Sequence, residues 1–317
     1  MKKMLLSVKN LTIHFNAGRR QKVYAVSNVS FQIRKGETLG LVGESGCGKT
    51  TIARAIMQFQ KPTSGNIFFQ KEDLTCVDKK LLRQLRPQFQ MIYQDSVSSL
   101  NPRRKIIDTI AAPLKIIGKK NKEERIRLAL EMADSVGIDS KTCYRQPFQL
   151  SGGQCQRVQI ARALMADPML LICDEPVSSL DVSVQAQIIN LLETLRKKHG
   201  LTMLFISHDL AVVKNVCDTV AVMYLGKLCE QAPSETLYSA HRHPYTQALL
   251  SAIPQLNPGI QPQRITMKPG EMPSPINPPA GCRFHARCPQ AKSLCIQKEP
   301  EMKEIEKDHN VACHFPI

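Results

Sequence analysis

The sequence predicts an α/β protein wound around a mostly parallel sheet, and three observations predict it. The stretch Gly43-Glu44-Ser45-Gly46-Cys47-Gly48-Lys49-Thr50 fits the pattern G-x-x-x-x-G-K-[ST]. A short apolar run, Thr38-Leu-Gly-Leu-Val42, stands just before it, and Thr51-Ile-Ala-Arg-Ala-Ile56 has a helical pattern just after it. Two further runs, Met169-Leu-Leu-Ile-Cys173 and Thr202-Met-Leu-Phe-Ile206, are continuously apolar, as central strands covered on both faces require.

In order along the chain, residues 5–15 alternate, with Leu6 and Val8 against Leu11, Ile13 and Phe15, and read as a strand. Residues 16–22 form a polar, basic turn, and Val23 to Ile33 is a second alternating strand. Tyr24 or Phe15 offers an aromatic face to a base, though either residue also suits a core. Thr38–Val42 leads into the phosphate-loop pattern. There the glycines let the backbone N–H groups of Gly43, Ser45, Gly46, Cys47 and Gly48 turn toward an anion with no Cβ in the way. A helix from Lys49 through Thr51 to about Gln58 directs its positive dipole end at the same anion. Lys49 can reach β- and γ-phosphates, and the Thr50 hydroxyl can hold Mg²⁺.

A turn at Pro62–Gly65, a strand at Asn66–Phe69, a helix at 79–86 and a strand at Phe89–Tyr93, ending at Gln94, follow. Strand signals then stop. Helical patterns at 106–117 and 122–136 read as a helical insert of about fifty residues, 95–149, or 95–166 with the helix behind it. Leu150-Ser-Gly-Gly-Gln154 opens that helix, which runs from Gln156 to Ala166 and stops at Pro168. The strand at 169–173 ends in Asp174-Glu175. Ser179-Leu-Asp181 caps a helix at 182–198, and the strand at 202–206 ends in Ser207-His208-Asp209. Asp218–Tyr224 and Lys227–Gln231 form a last strand pair joined at Gly226. Beyond about 233 the character changes: a short helix carries His243-Pro-Tyr-Thr246, and residues 254–280 hold eight prolines, as a linker or wrapping segment would.

Composition sets limits on function. Of 317 residues, 43% are hydrophobic and 22% charged, as in an ordinary globular protein. The formal net charge of +16 permits nucleic-acid or membrane-surface binding, but the basic residues are spread along the chain, among them Arg19, Arg20, Arg103 to Lys105, Lys119 to Lys122 and Arg196 to Lys198. The eleven cysteines are odd in number. Cys47 falls in the phosphate loop and Cys173 in an apolar strand, so a reducing, cytoplasmic compartment is expected. No apolar run approaches the roughly 18–20 residues of a membrane span, and the apolar run after Lys2-Lys3 is too short for a signal peptide.

Chemistry-bearing residues gather at predicted strand ends, where open α/β sheets bind ligands. Asp174 suits Mg²⁺ held through water, and Glu175 is placed to orient and deprotonate an attacking water. Gln94 can sense a γ-phosphate through metal or water, and His208 can donate to it. Ser151 and Gly153 stand at a helix N-terminus, a second anion site beside Gln154.

The order of phosphate loop, Gln94, Leu150-Ser-Gly-Gly-Gln154, Asp174-Glu175, Ser179-Leu-Asp181 and His208 resembles the ATP-binding-cassette ATPases over residues 5–231. The resemblance implies a P-loop NTPase core with an antiparallel β subdomain and a helical insert. It also implies ATP and Mg²⁺ as ligands, and a head-to-tail dimer in which each nucleotide lies between one subunit's phosphate loop and the other's signature. His243-Pro-Tyr-Thr-Gln-Ala-Leu-Leu250 and Pro273-Ser-Pro-Ile-Asn-Pro-Pro-Ala-Gly-Cys282 are similar to the oligopeptide, dipeptide and nickel importer subfamily, the dipeptide type most of all. That implies a second homologous ATPase subunit in a heterodimer, two transmembrane permeases and an extracytoplasmic binding protein. The chain would work at the cytoplasmic face of the inner membrane, residues 1–232 forming the cassette and 233–317 a small Cys-rich extension.

The chain departs from the family pattern at Phe148-Gln149, where His is frequent, at Cys155, where a basic residue is common, and at Ser179, where Ala is usual. Cys155 would bring an uncharged thiol toward the partner's nucleotide. Cargo is open to dipeptides, oligopeptides, a nickel chelate or an antimicrobial peptide. A soluble cassette acting on nucleic acid is the rival. It is disfavoured because such proteins typically carry two cassettes and because clustered basic helices with interleaved aromatics are missing here.

Cys282, Cys288, Cys295 and Cys313 are spaced C-x5-C-x6-C-x17-C. Thiolates favour soft metals and iron–sulfur clusters. By spacing alone, zinc (with His285, His309 or His314 as substitute ligands) and free thiols stay open. The subfamily resemblance implies a [4Fe–4S] cluster of structural role, with Zn²⁺ as the alternative.

Overall fold

The computed structural model describes residues 3–18, 21–118, 121–253, 267–268 and 270–317. Much of the proline-rich stretch (254–266 and 269) and the basic residues Arg19, Arg20, Lys119 and Lys120 lie outside the described residues.

The first half of the chain forms β1 (Met4–Asn16), β2 (Lys22–Arg34), β3 (Thr38–Val42), α1 (Lys49–Ile56), β4 (Ser64–Phe69), β5 (Glu72–Asp73), α2 (Lys79–Leu85), β6 (Phe89–Ile92), α3 (Ile106–Ile117), α4 (Lys122–Ser135) and α5 (Gly152–Leu164). It continues as β7 (Leu170–Asp174), α6 (Val182–His199), β8 (Thr202–Ser207), α7 (Leu210–Val216), β9 (Thr219–Tyr224), β10 (Lys227–Pro233), α8 (Ser234–Ala240) and α9 (Pro244–Ser251). The last elements are α10 (Ser293–Gln297), β11 (Lys303–Glu306) and β12 (His309–Val311). The chain gathers into two compact units, one of Met1–Lys3, Arg34–Gly36 and Cys76–Ile206, the other of Met4–Ile33, Glu37–Thr75 and Ser207–Ile317.

In the first unit three strands run parallel in the order β8-β7-β6, with Ile92 opposite Cys173 and Asp174 opposite Ile206. Every residue of β7 and β8 is buried, which is why both read as unbroken apolar runs. Helices α3, α4 and α5 make up the insert. Helix α5 is buried on most of its surface, and its polar residues are the ones that tie it down. Gln159, almost wholly buried, accepts from the Tyr93 N–H at 2.8 Å and donates to the Asp95 carbonyl at 3.3 Å. Arg162 donates to the Ser99 carbonyl at 3.1 Å, and Arg157 to the Val136 carbonyl at 2.7 Å. Gln159 and Arg162 thus tie the turn that carries Gln94 to the signature helix, and Arg157 ties the end of α4 to it. Asp181 is the N-cap residue of α6 by position, but its side chain makes no capping bond, and Gly200 at φ 61° ends the helix.

The second unit holds two sheets. One has the order β2-β1-β4-β5, with β1 and β4 antiparallel in the register Leu6↔Phe69 and Val8↔Ile67. The other has the order β11-β12-β10-β9-β3. Only β3 and β9 are parallel in it; β9 with β10, β10 with β12, and β12 with β11 are antiparallel. The C-terminal hairpin therefore extends the sheet that carries β3. A fully buried pair fastens it: Glu230 on β10 meets Nε2 of His309 on β12 at 2.8 Å and accepts the backbone N–H groups of Arg242 and His243 at 2.6 and 3.0 Å.

Candidate nucleotide site

The loop between β3 and α1 is shaped by its glycines. Gly48 has φ 108°, and a Cβ there would lie 2.3 Å from the Ala25 carbonyl oxygen; at Gly43 it would lie 2.1 Å from that of Met223. Only glycine lets the loop lie this close to β2 and β9. Gly46, with φ 78°, is exposed, a Cβ there meeting only the Met272 methyl at 3.7 Å, and Ser45 beside it is exposed too. The Lys49 ammonium is buried and donates to the carbonyls of Gly43 at 2.7 Å and Glu44 at 3.0 Å, so it lies back along the loop's own backbone. Cys47 is buried, 3.8 Å from that ammonium, and burial pushes its thiol up despite the nearby cation. Thr50 and Thr51 occupy the first turn of α1 and are half-buried. Tyr24 on β2 packs edge-on against His14 at 4.5 Å, while Phe15 is 36% exposed. His208, in the same unit as the loop, is exposed directly after β8.

The remaining site residues belong to the other unit. Asp174 is buried at the end of β7, and Glu175 follows in left-handed backbone at φ 48°, its N–H held by the Ile206 carbonyl at 3.0 Å. Positive φ in a non-glycine residue costs about 1–3 kcal/mol and persists where the surroundings over-determine it. The Nε2 of Gln94 donates to Glu175 Oε2 at 2.9 Å, so two residues 81 apart in sequence are brought together as one polar pair. In the signature, Ser151 caps α5: its hydroxyl accepts the Gln154 N–H at 3.3 Å, and the Gln154 side chain accepts the Ser151 N–H at 3.0 Å. This capping box holds Gln154 against its own turn; Gly153 is half-buried, and a Cβ there would lie 2.7 Å from Val184 Cγ1, so glycine lets α5 lie close to α6. Cys155 differs from expectation. It is fully buried with Sγ 3.7 Å from the Pro147 carbonyl, so no thiol is offered to a partner's nucleotide.

Cys282, Cys288, Cys295 and Cys313 all line one cavity of about 20 Å³, together with His285 and His314, and none is in a disulfide. Burial first, then mutual repulsion, pushes Cys282 and Cys313 up to about 11. A bound cation reverses that balance, since a coordinating thiol is deprotonated. The donors are chemically right for a thiolate-bound group. Among the described residues, however, no three His, Cys, Asp or Glu side chains stand in metal-ligating geometry. The cavity itself has room for about one water. His309, one of the expected substitute ligands, is taken by Glu230.

A glycine-shaped phosphate loop at a helix start, carboxylates at a strand end and a Ser-capped glycine turn define a P-loop nucleotide hydrolase. Residues 26–178 match the family model described as ABC transporter, and residues 229–295 match that described as Oligopeptide/dipeptide transporter, C-terminal region. The chain is 47% identical to the putative oligopeptide transport ATP-binding protein YkfD of Bacillus subtilis, covering 98% of this chain and 95% of that one. It is 43% identical to the di/tripeptide transport ATP-binding protein DppF of Pseudomonas aeruginosa, covering 98% and 97%. Among solved structures, a dimeric post-hydrolysis state of the ATP-binding cassette MJ0796 bound to ADP and Pi superposes with a TM-score of 0.67 at 29% identity, over 73% of this chain and 99% of that one. The chain belongs to the ABC transporter ATP-binding family and is an ATPase whose hydrolysis is coupled to transport.

Proposed function

We propose that the chain energises import of dipeptides and oligopeptides, working at the cytoplasmic face of the membrane with a second homologous ATPase subunit, two permeases and an extracytoplasmic binding protein. The observation that carries this reading is the union, in one chain, of a cassette with a matched peptide-transporter C-terminal region. In this reading residues 1–232 are the cassette and 233–317 the Cys-rich extension. No helix among the described residues is long and apolar enough to cross a membrane, so membrane attachment falls to the permeases. Isolation of the tagged chain from its native membrane should bring down permeases and a second ATPase; recovery with nucleic acid or ribosomes instead would overturn the proposal.

The proposed roles follow from side-chain chemistry. The loop amides, Lys49 and Thr50 bind the triphosphate, and Tyr24 stacks on the base. Thr50, Gln94 and Asp174 offer the hard oxygen donors that Mg²⁺ prefers, and the ion when bound neutralises phosphate charge. Glu175 takes the proton of the attacking water, held in orientation by the Gln94 amide 2.9 Å away. His208 donates to the γ-phosphate. Ser151, Gly153 and Gln154 serve the nucleotide of the partner subunit. For the cysteine centre the proposal is a structural [4Fe–4S] cluster, Zn²⁺ being the alternative. Elemental analysis after anaerobic purification separates iron, zinc and free thiols.

A further inference from the structure

Glu44 lies inside the phosphate loop, yet none of its polar groups is left to the loop's ligand. Its carbonyl accepts Lys49 Nζ at 3.0 Å, and its backbone N–H donates to the Tyr245 hydroxyl at 3.1 Å. Its carboxylate receives Arg287 Nη1 on both oxygens, at 3.0 and 2.9 Å. Tyr245 and Arg287 lie 201 and 243 residues beyond Glu44 in the chain, in the C-terminal region of the same unit.

The Arg287 side chain is 11% exposed and that of Glu44 29%, so this ion pair is partly withdrawn from water and less screened than a surface pair. The guanidinium also sits 5.8 Å over the Tyr224 ring, and Tyr224, Tyr245 and Phe284 pack edge-on or tilted at 4.7 to 5.2 Å. Tyr245 is fully buried, so its hydroxyl has one defined place. Arg287 itself is held by a tight turn: its N–H donates to the Phe284 carbonyl at 3.0 Å and its carbonyl accepts from Lys268 at 3.0 Å. Among the described residues the buried Nε of Arg287 finds no partner, so the residue carries an unmet donor there while keeping its contact with Glu44. That cost is accounted for if the contact serves the loop.

We infer that Arg287 is a positioning residue for nucleotide binding: with Tyr245 it holds Glu44, and through Glu44 the backbone that both cradles phosphate and seats Lys49. The Glu44 carbonyl is the link, because it shares the Lys49 ammonium with Gly43. Rotation of Glu44 away from Arg287 changes where Lys49 rests and how the loop amides point. The extension thus tunes ATP affinity without touching ATP. The inference rests on the reading that this loop binds ATP.

The test is a double-mutant cycle in the full chain: Arg287→Met, Glu44→Gln and both together, with Arg287→Lys as the conservative variant and Lys49→Ala as the binding control. Equilibrium binding of MgATP is measured on the isolated chain, and KM and kcat on the assembled transporter. Arg287→Met and Glu44→Gln should each weaken ATP binding and raise KM about three- to tenfold with kcat changed less than about twofold, and the double variant should be no worse than the weaker single. Arg287→Lys should recover part of the loss. Unchanged affinity in a folded Arg287→Met chain, or losses that multiply in the double variant, would overturn the inference. If wild type binds no ATP, or binds as Lys49→Ala does, the ATP reading fails instead.

Discussion

Gly48→Ala is the perturbation whose outcome the geometry fixes most sharply. The residue has φ 108°, outside the range an L side chain adopts readily, and this strain alone costs about 1–3 kcal/mol. The new Cβ would also stand 2.3 Å from the Ala25 carbonyl oxygen, which belongs to a paired strand and cannot swing aside. The loop must therefore move off β2, and its amides with it. Gly46→Ala is the comparison: φ is 78°, but the nearest atom, a Met272 methyl, is 3.7 Å away, so it carries strain without collision. Saturating MgATP, at about a hundredfold over Kd, stabilises the native chain by about 2.7 kcal/mol. Each tenfold loss of affinity removes about 1.4 kcal/mol of that. In thermal denaturation with and without MgATP, Gly48→Ala should lose nearly all nucleotide protection and Gly46→Ala should keep most of it. Equal protection in Gly48→Ala and wild type would refute the reasoning.

Glu175→Gln should bind MgATP as wild type does, because the Gln94 partner can still be satisfied, while turnover falls about 10²- to 10⁴-fold; single-turnover hydrolysis checks it, and retained hydrolysis would remove Glu175 from its role. His243 is buried, its Nδ1 accepting the Tyr245 N–H at 3.0 Å, and burial lowers its pKa from 6.5 to about 4. The unfolded chain therefore takes up the proton first. This contribution, about 3 kcal/mol, is present above pH 6.5 and lost as pH falls toward 4. His243→Asn, which keeps a capping oxygen, should flatten the denaturation midpoint over that window. His309→Ala leaves the Glu230 carboxylate buried without its imidazole and should cost about 3–5 kcal/mol, read as faster hydrogen exchange in β11 and β12.

The cassette was legible because its signals are local. Thr38–Val42 and Leu170–Asp174 are buried through their whole length and apolar but for Thr38 and Asp174, and the glycines, Lys49 and Thr50 sit at fixed offsets from a strand end. The helices of the insert also followed from periodicity, with α3 found at 106–117 as expected. The contacts that position the site were not legible. Arg287 meets Glu44 across 243 residues, and Gln94 meets Glu175 across 81, with no pattern linking either pair. Strands β11 and β12 leave no sequence signal because β11 is exposed at all four positions and β12 has three residues, too few for alternation to register. Cys155 misleads because a helix start reads as exposed, whereas α5 from its fourth residue onward is buried at every position except Arg157 and Arg162. His309 looked like a spare metal ligand because only the fold shows that Glu230 already holds it.

The central claim is that this chain hydrolyses ATP as part of a peptide importer. The direct measurement is ATP turnover by the membrane-reconstituted complex, with and without peptide-loaded binding protein. Turnover should rise on adding the loaded binding protein and vanish with Glu175→Gln in this subunit and its partner's equivalent base disabled. Turnover indifferent to peptide, or stimulated by nucleic acid instead, would contradict the account.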